Sequence, residues 1–300
     1  MKKVLVIYYS QTGQLKDIAN NLISPLNESK LCEVSFYNIK PVEDFPFPWN
    51  RKTFFGVFPE SFQQIPVAIE PPPDDVLNTK YDLIIFAYQV WFLSPSIPIN
   101  SFLKSQYGGK LLNNTPVITV VGCRNMWVMA QEKVKALINK CGGKLVSNVS
   151  FVDRNINHIS VITIVHWMFK GKKTRMLGIF PKPGVSKEDI SSASKFGELV
   201  LDALKKDSYK ELQKKIVDKG GVLTKPFLIL MDQKANKMFA LWSKFVLRNN
   251  KSRSVKLFLF NIYLWIAIWL ISPIVFVIFL VTYPFRMKKI KNEFNYYLGL

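Results

Sequence analysis

The residues best placed to do chemistry stand at the start of the chain. In KVLVIYYSQTGQLKDIANNL, residues 3–22, an apolar run stops at Ser10 and gives way to Gln11, Thr12, Gly13, Gln14 and Leu15 before a helical pattern begins. Two hydroxyls and the N–H groups of a helix start can hold a phosphate. Gly13 lets the backbone come close to such a group. The loop is neither a dinucleotide fingerprint nor a Walker loop, because G-x-G-x-x-G and G-K-[ST] are both missing. Taken alone, an ordinary βα turn explains it as well.

A second set lies in AYQVWFLSPSIP, residues 87–98, where Gln89, Val90, Trp91 and Phe92 follow another apolar run. Aromatic walls of this kind suit a flat ring. A third loop, Gly122, Cys123, Arg124 and Asn125, ends a further apolar run and would face the same ring edge. Arg124 is either a solvated charge or a cation that stabilises an anionic ring or an enolate. Cys123 reads as chemically inert. Of the two histidines, His166 sits beside Trp167, Phe169 and a KGKK run, which suits a membrane surface. His158 is the remaining candidate for a general base. The cysteines, Cys32, Cys123 and Cys141, are odd in number and form no C-x-x-C, so neither a metal site nor a disulfide framework is expected. A reduced cytoplasmic compartment fits. Lys2 and Lys3 before Val4–Tyr9 do not make a signal peptide, since the apolar run is short and no small-residue cleavage site follows.

The elements that must position these loops read as alternating strands and helices. Strands are expected at Lys3–Tyr9, Cys32–Asn38, Tyr81–Tyr88, Thr115–Gly122 and Lys144–Val152. Helices are expected over Leu15–Ile23, from Asn100–Lys104 onward, over Met126–Asn139, and over Ser186–Lys205 with Ser186 as its cap. Such alternation predicts an α/β fold: a doubly wound, five-stranded parallel sheet over residues 1–205. In that fold ligands bind beyond the carboxyl ends of the strands, where the three loops lie. Two segments interrupt the pattern. Residues 41–73 hold eight of the 17 prolines and seven aromatic residues, and read as an ordered loop over a sheet edge or as a lid. Residues 153–185 carry both histidines and the basic run KGKKTR.

Charge is unevenly spread. Of 41 basic and 21 acidic residues, residues 206–300 hold 17 and 5, so the last third carries most of the formal +20. A basic tail seeks phosphate, in nucleic acid or in anionic lipid. Lipid is favoured, and nucleic acid is not expected, because residues 257–285 are 29 uncharged, mostly apolar residues. That exceeds the roughly 20 needed to cross a bilayer. Cations flank the run on both sides, which suits a hairpin bent at Pro273 or one tilted span kinked there. The membrane segment is set at 255–286, with a basic tail at 287–300. Upstream, 206–254 is read as a basic interfacial segment. Within it residues 225–248 form a helix with Phe227, Leu230, Met231, Met238, Leu241, Trp242 and Phe245 on one face, to rest on the headgroups or to pack on the α/β domain.

Ser10, Thr12 and Gly13 resemble the flavodoxin phosphate loop, Ser/Thr-x-Thr-Gly-x-Thr. Leu15 stands in place of the last Thr, and Gln14 is the residue that would compensate. Residues 87–98 are similar to the flavin-lining loop of flavodoxin-like quinone reductases, which implicates Gln89, Trp91 and Phe92. These resemblances imply FMN as cofactor and a homodimer. The opening VLVIYYSQTGQLKDI, the length and the C-terminal apolar segment further resemble the dialkylresorcinol pathway flavodoxin-like family. That resemblance implies a membrane-bound aromatase that oxidises a dialkyl cyclohexanedione to a dialkylresorcinol. It also implies a ketosynthase partner and a place on the cytoplasmic face of the inner membrane. An NAD(P)H:quinone oxidoreductase and a membrane-docked electron carrier are the alternatives.

Overall fold

The computed structural model describes residues 1–299. The chain opens with β1 (Lys2–Tyr8), α1 (Gln14–Glu28) and β2 (Cys32–Asn38). Three short helices follow, α2 (Arg51–Gly56), α3 (Phe58–Phe62) and α4 (Asp74–Asn78). Next come β3 (Leu83–Trp91), the two-residue β4 (Ser94–Pro95), α5 (Ile97–Lys104), α6 (Gln106–Leu112), β5 (Pro116–Cys123), α7 (Val128–Lys140) and β6 (Lys144–Val152). The rest is helical: α8 (Asn157–Lys170), α9 (Lys187–Ser191), α10 (Ser194–Lys205), α11 (Leu212–Asp218), α12 (Pro226–Leu247), α13 (Arg253–Ile266) and α14 (Ser272–Leu298).

The five long strands are parallel and run in the order β2-β1-β3-β5-β6. That is the flavodoxin-like order, with its switch point between β1 and β3. The central strands are continuous Val, Ile and Phe runs because helices cover both their faces; Val4–Ile7 and Leu83–Tyr88 are fully buried. On one face α1 packs against α10 so closely that a Cβ on Gly197 would lie 1.9 Å from the Leu22 carbonyl oxygen. On the other face α5, α6 and α7 pack together. The edge strand β6 is closed by the chain after α11: Ser150 N donates to Gly221 O at 2.7 Å.

Several expectations change here. The segment 186–205 is two helices, α9 and α10, although Ser186 does cap the first by accepting from Asp189 N at 3.0 Å. Residues 153–185, left without an element in the sequence reading, contain the 14-residue helix α8. The core runs on past Lys205, since Leu212, Ile216, Val222 and Ile229 join the same cluster as the sheet. Residues 41–73 hold two helices, α2 and α3, the first closed by an Asn50–Thr53 capping box.

The helix α12 does not offer one undivided apolar face to lipid. Ile229, Phe239 and Val246 are buried in the protein, while Leu241 and Phe245 stay exposed. No hairpin forms at Pro273. Residues 250–298 run as one helical stretch, with a π turn at Ala267–Ile271 joining α13 to α14. The irregularity has a local cause. Pro273 has no N–H to give to the preceding turn, and the Ile268 carbonyl instead receives His158 Nε2 at 3.1 Å.

Candidate functional site

At the end of β1 the chain turns through Gly13, whose φ of 83° lies in the left-handed region. The turn leaves the start of α1 without a side-chain cap. Among the described residues, the N–H groups of Thr12, Gly13, Gln14 and Leu15 find no protein acceptor. The Ser10 hydroxyl makes only a long contact, 3.4 Å from Lys16 N. Two hydroxyls and a row of free donors at a helix start form an anion cradle.

The glutamines of this loop are committed to the protein. Gln11 Nε2 donates to Pro46 O at 3.1 Å, and its Oε1 accepts from Trp49 Nε1 at 3.0 Å. Gln14 brackets Val185, accepting from its N at 3.1 Å and donating to its O at 3.2 Å. Gln14 is therefore not a free replacement for the missing threonine hydroxyl; it fastens the 171–185 segment to α1. Gln11 latches the 41–73 segment over the cradle.

Beyond the cradle lies a cavity of about 240 Å³ at the carboxyl ends of β1, β3 and β5. The sequence-predicted Gln11, Thr12, Gln14, Leu15, Gln89, Val90, Trp91, Phe92, Gly122, Cys123 and Arg124 all line it. Ser10 and Gly13 belong to the loop but not to the cavity wall. Trp91 is held edge-on by Phe45, Trp49 and Tyr9, at centroid distances of 5.1, 5.5 and 6.1 Å. Phe92 and Leu93 form the two-residue turn of the β3–β4 hairpin, with φ of 48° and 59°. Non-glycine residues there each carry about 1–2 kcal/mol of backbone strain, held in place by the burial of Leu93. Gln89 Nε2 is buried and without a hydrogen-bond partner among the described residues.

Arg124 stands at the far side. Its Nη1 donates to Asn157 Oδ1 at 2.7 Å and to Asn157 O at 3.2 Å, and no carboxylate is within ion-pair distance among the described residues. Burial lowers the guanidinium to about 10, with Asp153 opposing the shift. It remains a cation at neutral pH, and a poorly compensated one. Cys123 is partly buried, and desolvation pushes its thiol well up, so it is not a nucleophile.

A second cavity of about 500 Å³ opens beside the first. Phe54, Val90, Phe92, Cys123, Arg124, Ile164 and Val165 line both. The second is mostly apolar, walled by Val161 and Phe169 of α8, by Phe227, Met231 and Phe239 of α12, and by Leu264, Ala267 and Ile268 of the C-terminal helix. His158 belongs to neither wall. Its ring faces Trp269 at 5.1 Å and bonds Ile268 O, so it serves the helix and not a general-base role.

The sequence reading missed Asn157, which orients Arg124, and the α8 residues Ile164, Val165, Trp167 and Met168 that roof the first cavity. The apolar residues of NHISVITIVHWMFK at helical spacing were the available signal.

No protein-family model matches the chain, and no curated protein matches it. Among solved structures, a flavoprotein in complex with FMN from Lactobacillus acidophilus is 20% identical, covering 50% of this chain and 93% of its own, at a TM-score of 0.39. Oxidised flavodoxin 1 from Bacillus cereus is 13% identical over 66% and 95% of the two chains, at 0.35. The flavoenzyme NAD(P)H:(acceptor) oxidoreductase FerB from Paracoccus denitrificans is 14% identical over 69% and 98%, at 0.32.

Proposed function

We propose that the protein is an FMN-dependent oxidoreductase that aromatises a dialkyl cyclohexanedione to a dialkylresorcinol at a membrane. The observation that carries this reading is the pair of joined cavities: an anion cradle with aromatic walls on one side, an apolar chamber on the other, and Arg124 where they meet. The unpartnered donors of Thr12–Leu15 fit a terminal phosphate, and the orphaned Gln89 amide fits a carbonyl on the rim of a flat ring. Bound there, FMN would supply a two-electron hydride acceptor.

The chain's own residues do the rest. A cyclohexane-1,3-dione is acidic between its carbonyls and enters as an enolate. Arg124, desolvated and without a contacting carboxylate, stabilises that anion and any charge that grows on the dione oxygens. From that enolate, loss of one ring C–H as hydride to a two-electron acceptor gives a hydroxycyclohexadienone, and transfer of one remaining ring C–H proton to the carbonyl oxygen leaves the aromatic diol. The Gln11 latch and the 41–73 aromatic residues keep water from the ring. Two alkyl tails need an apolar compartment of the kind that adjoins Arg124. Such a substrate would come from a condensing enzyme that joins two acyl chains.

The first test is a spectrum. Detergent-purified protein is expected to carry a flavin band near 450 nm, and anaerobic addition of a dialkyl cyclohexanedione to bleach it with formation of the resorcinol. Colourless protein that takes up no added FMN overturns the cofactor; a flavin bleached by NAD(P)H but not by the dione overturns the substrate in favour of a quinone reductase.

A further inference from the structure

The long apolar helix has the composition of a membrane span. Only 11% of its most apolar stretch is buried in the protein. Its contacts are not those of a span. Near its start, Arg253 Nη2 lies 2.7 Å from Glu60 Oε2, and the Phe260 ring stacks on Phe58 at 3.7 Å. At its end, the Tyr296 hydroxyl donates to Glu132 Oε2 at 3.0 Å, and Gln213 Nε2 donates to Leu298 O at 2.7 Å. Between them His158 bonds Ile268 O, and Phe227 packs on Phe276 and Phe279. One α/β body therefore grips the helix at both ends and along its middle. A crossing helix would have to put its ends on opposite sides of a hydrocarbon layer roughly 30 Å thick. The same charged domain cannot stand on both sides.

We infer that this helix lies in the plane of one leaflet, as a monotopic seat, and does not cross the bilayer. Its outward surface, with Phe258, Ile262, Ile266, Leu270, Val281 and Phe285, is exposed. Isolated interfacial helices are usually less hydrophobic than this one, so this seat sits deep, among acyl chains, with the domain riding above it. Exposed Lys251, Arg286 and Lys288 flank the apolar surface and suit anionic headgroups. A second copy of the chain is the poorer occupant, because a symmetric pairing brings the same cations together. The inward side of the same helix walls the apolar chamber through Leu264, Ala267 and Ile268, so only one helix thickness separates that chamber from lipid. The inference is independent of the flavin.

Single-cysteine variants of the full chain test it: N250C and N292C on either side of the apolar run, and E198C on the α/β domain, all at exposed positions. A membrane-impermeant maleimide is applied to intact spheroplasts and to inverted vesicles of a bacterial host, with the wild type setting the native-cysteine background. All three positions are expected to label in the same preparation. Labelling of residues 250 and 292 from opposite sides overturns the inference. The wild-type chain is also mixed with vesicles of phosphatidylcholine alone or with phosphatidylglycerol. Binding about tenfold stronger to the anionic vesicles at low salt, and resistant to high salt once formed, is expected. A stable detergent-free dimer that ignores vesicles means a second copy covers the face, and overturns it equally.

Discussion

Arg124 is the residue on which the proposed chemistry turns. It is half-buried, its bonds go to a neutral asparagine, and it lines both cavities. Replacing it with Met keeps the volume and removes the charge. Turnover of the dione by Arg124→Met is expected to fall about 10²–10³-fold, the usual loss when one preorganised oxyanion partner is removed, while the 450 nm band persists. Steady-state rates measured beside the spectrum check both halves. Loss of the band as well would make Arg124 a cofactor ligand instead. At this scale the sequence was informative where chemistry is local. Ser10, Thr12 and Gly13 were placed at a strand end and a helix start because an apolar run, a glycine and a helical pattern are local signals. Gln14 and His158 did not show their roles. Their partners, Val185 and Ile268, lie 171 and 110 residues away, and no local pattern announces such a bond.

Elements tell a similar story with a different cause. The central strands were legible because burial on both faces writes an unbroken apolar run. The helices α8 and α12 were harder, because each is apolar on more than one side and only the tertiary packing decides which side turns inward. Asp232 marks the difficulty. It sits on α12, fully buried, where its Oδ2 accepts from Met129 N at 3.3 Å near the start of α7 and its Oδ1 has no partner among the described residues. Desolvation pushes its carboxyl up to about 7, against the pull of those backbone bonds and of Lys133. Its folded value is thus above its unfolded one, so the native state holds the proton more tightly. This group favours folding most below pH 4, and that contribution is lost as pH rises through about 7. Stability measured in detergent should therefore fall by on the order of a few kcal/mol between pH 5 and pH 8 through this residue. The Asp232→Asn variant should flatten that slope. An unchanged slope in the variant would mean that another group carries it. Lys133, lowered to about 8 by burial, acts at and above the upper end of this window.

For the whole molecule the question is whether the C-terminal helix is a detachable tether or part of the proposed site. Sequence composition suggested a tether, since hydropathy records what a helix tolerates and not what it touches. The packing gives it two sides, an exposed apolar one, proposed above to meet lipid, and an inward one that walls the chamber. Its inward residues complete the apolar cavity, yet none of residues 250–298 lines the first cavity. The two functions can therefore be separated by one substitution. Ala267 faces the chamber from the π turn, and Ala267→Trp would place an indole in the space proposed for an alkyl tail. Each methylene kept out of an apolar site forfeits about 0.8 kcal/mol. Excluding even two should raise KM for a long-chain dione about tenfold. A short-chain analogue and the flavin band should be unaffected, because the cradle and Arg124 are untouched. A simple tether predicts the opposite: no dependence on chain length, and a chain cut before residue 250 that stays soluble and fully active. Steady-state kinetics on a series of chain lengths, comparing the wild type with Ala267→Trp, decides between them. A parallel shift for every chain length would mean that the tails lie elsewhere.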